Sequence, residues 1–469
     1  MHRTRRSASA RDSAVFHPVE DNPDFSARAV QGIPGLVPGT RANASTGTAR
    51  RAKNLGMQTT KRLVRSAFVA TALVACTALV APSAIALTGA ASAAVASGDA
   101  TVVGAAFGGT AAAPSSARTP SDATEPSLAL PEPTGRFPVG VTPIHLVDEN
   151  RADPWVPQAR RELMVSLWYP AVPRGDVAPY TTEAVSAAVI ESAGLPVSPG
   201  ILTTVETHAR DRAPALPGRR PLVVLSPGAG LSRESLTALA EDLASRGYVV
   251  AGVDHTYEAR AVEFPDGRVA GCLLCERENT AELGAWVARG RSADISFVLD
   301  ELTGGRLWRH APVIDARHVA VVGHSLGGAA AALAVTDDPR VDAGVNMDGT
   351  FQVDFPEAGM DRPFLMLGSA SHEPGASDGT DWPDNFARLD EGVWLQVPTA
   401  NHGSFTDQLM FLDQLGVPLP GGPDTVGGER GVEITAAYVG AFLDRHLRGR
   451  AAPLLDGPAA AYPEVEFEG

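Results

Sequence analysis

Two lysines, Lys53 and Lys61, are all that this chain of 469 residues carries. Both lie near the beginning, where residues 1–96 hold 12 Lys and Arg against 4 Asp and Glu. Of the chain's 39 basic and 54 acidic residues, 27 and 50 therefore remain beyond residue 96, a net charge of −23. An acidic surface without lysine is a poor match for nucleic acid or for anionic lipid. Cysteine is nearly as scarce, at three residues. Cys272 and Cys275 stand as Cys-Leu-Leu-Cys, but two further ligands for a zinc site are missing and the setting is not that of a thioredoxin-like motif. A local disulfide or two reduced thiols remain. No segment repeats, and 44% hydrophobic with 20% charged residues is ordinary globular composition.

The early basic segment reads as targeting. After Met57 come Lys61, Arg62 and Arg65, an apolar stretch from Ser66 to Ala86, and small-residue sites at Ala84-Ile-Ala86, Ala91-Ser-Ala93 and Ala94-Val-Ala96. This is the order of a secretory signal peptide, placed at 57–96. A transmembrane anchor competes on length, but Pro82 and the small residues favour cleavage and a secreted product. Leu73-Val-Ala-Cys76 offers a lipid-anchored alternative through Cys76. Residues 1–56 show no pattern and are either a mistaken start or a disordered extension. Residues 97–134, rich in Ala, Ser, Thr and Pro, read as a disordered linker. A catalytic domain is expected at 135–450, and a loosely attached tail at 451–469.

Within that domain one stretch dominates. His318-Val-Ala-Val-Val-Gly323 is a buried-strand pattern, Gly323-His-Ser325-Leu-Gly327 a sharp turn, and Gly328-Ala-Ala-Ala-Ala332 the start of a helix. Gly-x-Ser-x-Gly alone should arise by chance roughly 0.3 times in so glycine-rich a chain. The strand before it and the helix after it make it the elbow that lifts a nucleophilic serine off the end of a sheet.

Strand-like runs at 141–147, 163–169, 222–225, 248–253, 318–322, 343–347, 364–367 and 393–397 alternate with helical patterns at 233–246, 280–302, 326–335 and 432–447. That alternation predicts an α/β fold: a mostly parallel central sheet with helices on both faces. Residues 172–220 form a long insertion with a helix-like Thr182–Ala193, either a cap over the site or a surface excursion.

A serine nucleophile needs a base, an acid and an oxyanion hole, and here the partners follow in the order Ser, acid, His. His402 follows a strand directly and is the favoured base. His372 is the runner-up, and His446 sits in a helix among arginines. For the acid, Asp348 ends one strand, whereas Asp378, Asp381 and Asp384 follow the next, and position does not choose between them. Asp348-Gly349 also reads as a simple turn. Leu326, after the nucleophile, supplies one oxyanion N–H, and the loop Ser226-Pro-Gly-Ala-Gly230 supplies the other.

Residues 136–447 resemble the plasma-type platelet-activating-factor acetylhydrolase family and its bacterial relatives, within the α/β-hydrolase superfamily. The matching pieces are Arg136-Phe-Pro-Val-Gly-Val, Leu167-Trp-Tyr-Pro-Ala171, Leu222–Gly230, Asp242-Leu-Ala-Ser-Arg-Gly-Tyr-Val, the segment Arg291-Ser-Ala-Asp-Ile-Ser-Phe-Val-Leu-Asp, and Gly-His-Ser-Leu-Gly-Gly. The resemblance implies an α/β-hydrolase fold, Asp348 as the acid and Ala229 as the second oxyanion donor. The loop departs from the family, whose members usually show Ser-His-Gly where Ser226-Pro-Gly stands. It further implies a serine esterase acting on short acyl chains, such as the acetyl ester of a phospholipid. No metal or organic cofactor is called for, and the expected partner is a small ester or phospholipid. General carboxylesterase, lipase and polyester hydrolase activities share the triad, as does a serine peptidase, and a non-catalytic binder shares the fold.

Overall fold

The computed structural model describes residues 127–304, 308–372, 381–422 and 424–468. The signal segment, Cys76, most of the linker and Asp378 lie outside the described residues.

The strands are β1 (Val139–Ala152), β2 (Arg160–Pro170), β3 (Arg210–Asp211), β4 (Arg220–Ser226), β5 (Val249–His255), β6 (Ala261–Glu263), β7 (Val269–Gly271), β8 (Ile314–His324), β9 (Ala343–Met347), β10 (Phe364–Ser369), β11 (Gly392–Val397) and β12 (Glu466–Glu468). Between them run α1 (Glu183–Ala193), α2 (Thr237–Arg246), α3 (Ala281–Thr303), α4 (Leu326–Asp337), α5 (Trp382–Phe386), α6 (Asp407–Gln414) and α7 (Gly428–Arg448). Ten strands form one sheet in the order β12-β11-β10-β9-β8-β4-β5-β2-β1-β3, and β6 and β7 make a separate hairpin. From β5 to β11 every pairing is parallel. β2 runs antiparallel to β5, and β12 antiparallel to β11.

Alternation in the strands explains the layers. In β4, Val223 and Leu225 face one way and pack with Leu239 and Leu243 of α2 and Val439, Phe442 and Leu443 of α7. Leu222 and Val224 face the other way, toward Ile295, Val298 and Leu299 of α3 and the alanines of α4. A parallel sheet covered on both faces needs such continuous apolar runs. Chain order reverses between β4 and β8, because β4 continues to β5 on one side while β8 lies on the other. The crevice beyond the carboxyl ends of these two strands is where such sheets bind ligands.

The folded part extends beyond both expected limits. Leu128 and Leu130 are buried with Met410, Phe411 and Val432. Gln414 exchanges two hydrogen bonds with the Ala129 backbone, at 3.0 and 2.9 Å. The average composition of 97–134 hid this short apolar anchor. The loosely attached tail is corrected too: Leu455 and Val465 enter the core and β12 pairs with β11. Its prolines and acids masked those three features. The insertion is likewise a packed part of the domain. α1, capped by Thr182, sends Ile190 into the cluster holding Tyr180, Met410 and Phe411, and it also contacts β6.

Candidate active site

β8 delivers Ser325 at its carboxyl end, with φ 55° and ψ −124°. This strained conformation costs a non-glycine residue about 1–3 kcal/mol. Neighbouring contacts impose it: the Ser325 N–H donates to Met347 O at 2.9 Å, and Ser325 O accepts from Gly328 N at 2.8 Å. The flanking glycines are obligatory. A Cβ on Gly323 would fall 2.0 Å from Gly327 O, and one on Gly327 2.0 Å from Ser226 O.

Asp348 follows β9, also at φ 55°, and is fully buried. Its Oδ1 accepts from Ser369 N at 2.6 Å and its Oδ2 from His402 Nδ1 at 2.7 Å. His402 opens a 3-10 turn after β11, anchored by reciprocal bonds between Asn401 and Ser404. Its Nε2 lies 2.9 Å from Ser325 Oγ. With Nδ1–H held by the carboxylate, Nε2 is the free acceptor for the serine proton. Burial acts to raise the Asp348 pKa, but the hydrogen bond and charge of His402 hold it below the usual carboxylate range. Burial likewise disfavours a charged His402, yet Asp348 outweighs it and raises the imidazole pKa.

The structure thus brings Ser325, Asp348 and His402 together and gives the other candidates different places. His372 lies on the far side of the acid, Nε2 3.6 Å from Asp348 Oδ1, with its ring stacked on Trp382 at 4.4 Å. His446 packs against Phe442 on α7. Asp381 and Asp384 belong to the start of α5. Sequence reasoning missed His324, the variable residue of the elbow. Its buried Nε2–H donates to His402 O at 2.7 Å, so it anchors the backbone of the histidine that meets Ser325. Burial and the nearby His402 push its pKa down to about 3, which keeps it neutral.

The loop after β4 closes the site from the other side. A Cβ on Gly228 would lie 3.2 Å from Ser325 Cβ. Leu326 N–H, first in α4, is one of the helix-start donors that lack an intrahelical acceptor. The loop itself is pinned at three points. Pro227 O accepts from Arg291 Nη1 at 2.5 Å, Gly230 N donates to Glu258 O at 2.8 Å, and Ser226 Oγ meets His255 Nε2 at 3.0 Å. Arg291 is paired with Glu258 at 2.7 Å, and His255 with Asp294 at 2.8 Å, which also takes Arg161 at 2.6 Å. All of these side chains are buried. Cys272 and Cys275 form a disulfide beside the same loop, where a Cβ on Gly230 would come 3.5 Å from Cys275 Sγ. Among the described residues no His, Cys, Asp and Glu cluster could hold a metal ion, and no helix is long and apolar enough to cross a membrane.

A family model described as platelet-activating factor acetylhydrolase, isoform II, matches residues 123–264. A probable 1-alkyl-2-acetylglycerophosphocholine esterase of Arthroderma benhamiae is 28% identical over 375 residues, covering 73% of this chain and 94% of that protein. Among solved structures, a ferulic acid esterase from Streptomyces cinnamoneus aligns with TM-score 0.65 and 43% identity, covering 73% of this chain and 100% of that one.

The chain is similar to the platelet-activating-factor acetylhydrolase family.

It is a carboxylic ester hydrolase of the α/β-hydrolase fold. The family model ends before Ser325, so the reading of the elbow, Asp348 and His402 rests on the geometry above. The platelet-activating factor acetylhydrolase of Cavia porcellus is also similar, 27% identical over 176 residues, 31% of this chain and 38% of that protein. The carboxylate that His402 meets is that of Asp348. The departure at Pro227 is accommodated because the loop uses its carbonyl, not an N–H, as the anchor to Arg291.

Proposed function

We propose that this esterase is exported by its 57–96 segment and cleaves short-acyl carboxylic esters through Ser325, His402 and Asp348. The observation that carries the mechanism is the unbroken chain of hydrogen bonds from Ser325 Oγ through His402 to Asp348, at 2.9 and 2.7 Å. His402 Nε2 removes the serine proton as Oγ bonds to the ester carbonyl carbon. Asp348 fixes the tautomer and stabilises the imidazolium. The N–H groups of Ala229 and Leu326 receive the oxyanion, each worth about 3–4 kcal/mol in comparable sites. Imidazolium then protonates the departing alkoxide as the C–O bond breaks. A water, deprotonated by the same nitrogen, attacks the acyl-enzyme, and the acid leaves as Ser325 regains its proton.

The loop anchor makes a prediction of its own. Lysine at position 291 keeps a charge for Glu258 but cannot hold Glu258 and Pro227 in the same fork. Arg291→Lys is expected to lower kcat about tenfold to a hundredfold with KM nearly unchanged, the effect of a slightly displaced donor. Equal losses in kcat and stability, with KM raised, would mean that Arg291 only holds the fold.

The short-acyl reading follows the Arthroderma relative, whose name specifies an acetyl ester. A second reading, esters of hydroxycinnamic acids, is favoured by the 43% identity to the ferulic acid esterase and by Trp286. That side chain is 44% exposed and rests edge-to-face on Trp155 at 4.9 Å. Trp155 Nε1 in turn donates to Glu258 at 3.0 Å. Two residues on, Ala288 packs with Leu326, so the start of α3 flanks the nucleophile.

p-Nitrophenyl esters from acetate to palmitate, a 2-acetyl phospholipid and methyl ferulate, assayed side by side, decide between these readings. A peak at acetate or butyrate with turnover of the phospholipid supports the first, and preference for ferulate the second. A peak at palmitate overturns both. If ferulate is taken, Trp286→Ala should cut its kcat/KM by up to about tenfold and leave acetate nearly unchanged.

A further inference from the structure

The amino ends of β4 and β8 face away from the reacting serine, and there the acidic molecule gathers arginine. A cleft of about 800 Å³ is lined by Arg136, Arg219, Arg220, Arg246, Arg448 and Arg450. β4 runs from Arg220 at this cleft to Ser226 beside the active-site loop, a span of about 20 Å at strand rise.

Part of the cluster has a local explanation. Arg246 and Arg448 end α2 and α7, where cations complement the helix carboxyl ends. Arg246 meets Asp242 at 2.6 Å, and Arg448 and Arg450 share Asp444 at 3.0 and 3.2 Å. Asp315, the other carboxylate in the cleft, is engaged by Arg317 at 2.9 Å and His318 at 3.2 Å.

Arg136, Arg219 and Arg220 have no such account, since none meets a carboxylate among the described residues. Arg136 and Arg220 both sit on the Phe137 ring, each 4.8 Å from its centroid. Arg220 Nε is buried without a hydrogen-bond partner. A Cβ on Gly247 would lie 3.3 Å from Arg220 Nη1 and 3.4 Å from Arg448 Nη2, so two guanidiniums converge on one point. Burial first, then repulsion from Arg448 and Arg136, lowers the Arg220 pKa. Clustered like charges around an open cleft are at their most stable when an anion lies among them. Guanidinium forks match the oxygens of phosphate and sulfate.

We propose that this cleft binds a small polyvalent oxyanion, a phosphate- or sulfate-bearing molecule, at a site separate from the ester-hydrolysing centre. Inorganic pyrophosphate is the probe, titrated calorimetrically into the full chain at about physiological salt. Saturable one-to-one binding is expected, weakened at least about tenfold in Arg136→Gln/Arg220→Gln and unaffected in Arg289→Gln, an exposed arginine on α3. Ester hydrolysis should be the same in all three proteins. Without anion the double variant should melt no lower than the parent, because it removes repulsion, and pyrophosphate should raise the melting temperature of the parent alone. Vesicles of phosphatidic acid in phosphatidylcholine, run in parallel, separate the two sources of this chemistry. Cosedimentation that the double variant loses assigns a lipid headgroup, and pyrophosphate binding without it assigns a soluble anion. No saturable binding to either probe, or equal binding by the double variant, overturns the proposal.

Discussion

Ser325→Ala is expected to lower kcat on p-nitrophenyl acetate by about 10⁴-fold or more, because removing a triad nucleophile leaves only the contribution of the oxyanion site and binding. Stoichiometric labelling by a fluorophosphonate should vanish with it. The fold should survive: the change deletes one oxygen and keeps the Cβ, and the backbone bonds of residue 325 to Met347 and Gly328 do not involve the hydroxyl. The positive φ stays as costly for alanine as for serine. Ser325→Gly relieves that strain and should be equally inactive but more thermostable. More than about one part in a hundred of parental kcat, from protein free of wild-type contamination, would place the nucleophile elsewhere.

Asp348→Asn is the second large effect, expected near 10⁴-fold in kcat, the loss seen when a triad acid becomes an amide and the imidazole adopts the wrong tautomer. The substitution suits the site. Asn tolerates the left-handed φ of residue 348, and its carbonyl oxygen can still accept from Ser369 N. The pH dependence carries a sign. Asp348 stabilises protonated His402 and raises its pKa. In the parent, kcat/KM should therefore fall on acidification through a midpoint above the ordinary imidazole value of about 6.5. In the Asn variant that stabilisation is lost and the midpoint should move to lower pH. A pH–rate profile of both proteins tests this, and an unmoved acid limb would mean that the titrating group is not His402.

The distribution of what could be read from sequence follows chemical locality. Ser325 was legible because strand, elbow and helix are contiguous. The four strands that carry the site were legible because both faces of a parallel sheet are apolar. His402 was legible as the histidine just after a strand. Asp348 was ambiguous, since Asp-Gly after a strand is equally a turn, and only family likeness favoured it. His372 was read as a rival base and is instead a neighbour of the acid. The network behind the oxyanion loop was invisible because its members are far apart in sequence: Arg291 lies 64 residues from Pro227, and Arg161 133 from Asp294. No local pattern announces such pairs. β12 and the Leu128 anchor were missed because a few apolar residues inside polar segments disappear in an average.

The borders of the sheet bear on how the protein behaves at high concentration. An open sheet invites other chains to extend it, and the usual safeguards are short outer strands and charge. Here the outermost strands are Arg210–Asp211, which covers only Gly140 and Val141 of β1, and Glu466–Glu468, two and three residues long. The second lies over Trp394, Leu395 and Gln396 of β11, a stretch that would otherwise present free backbone to a neighbour. Clipping those few residues, or fusing a bulky tag directly behind them, would uncover that ladder and favour self-association.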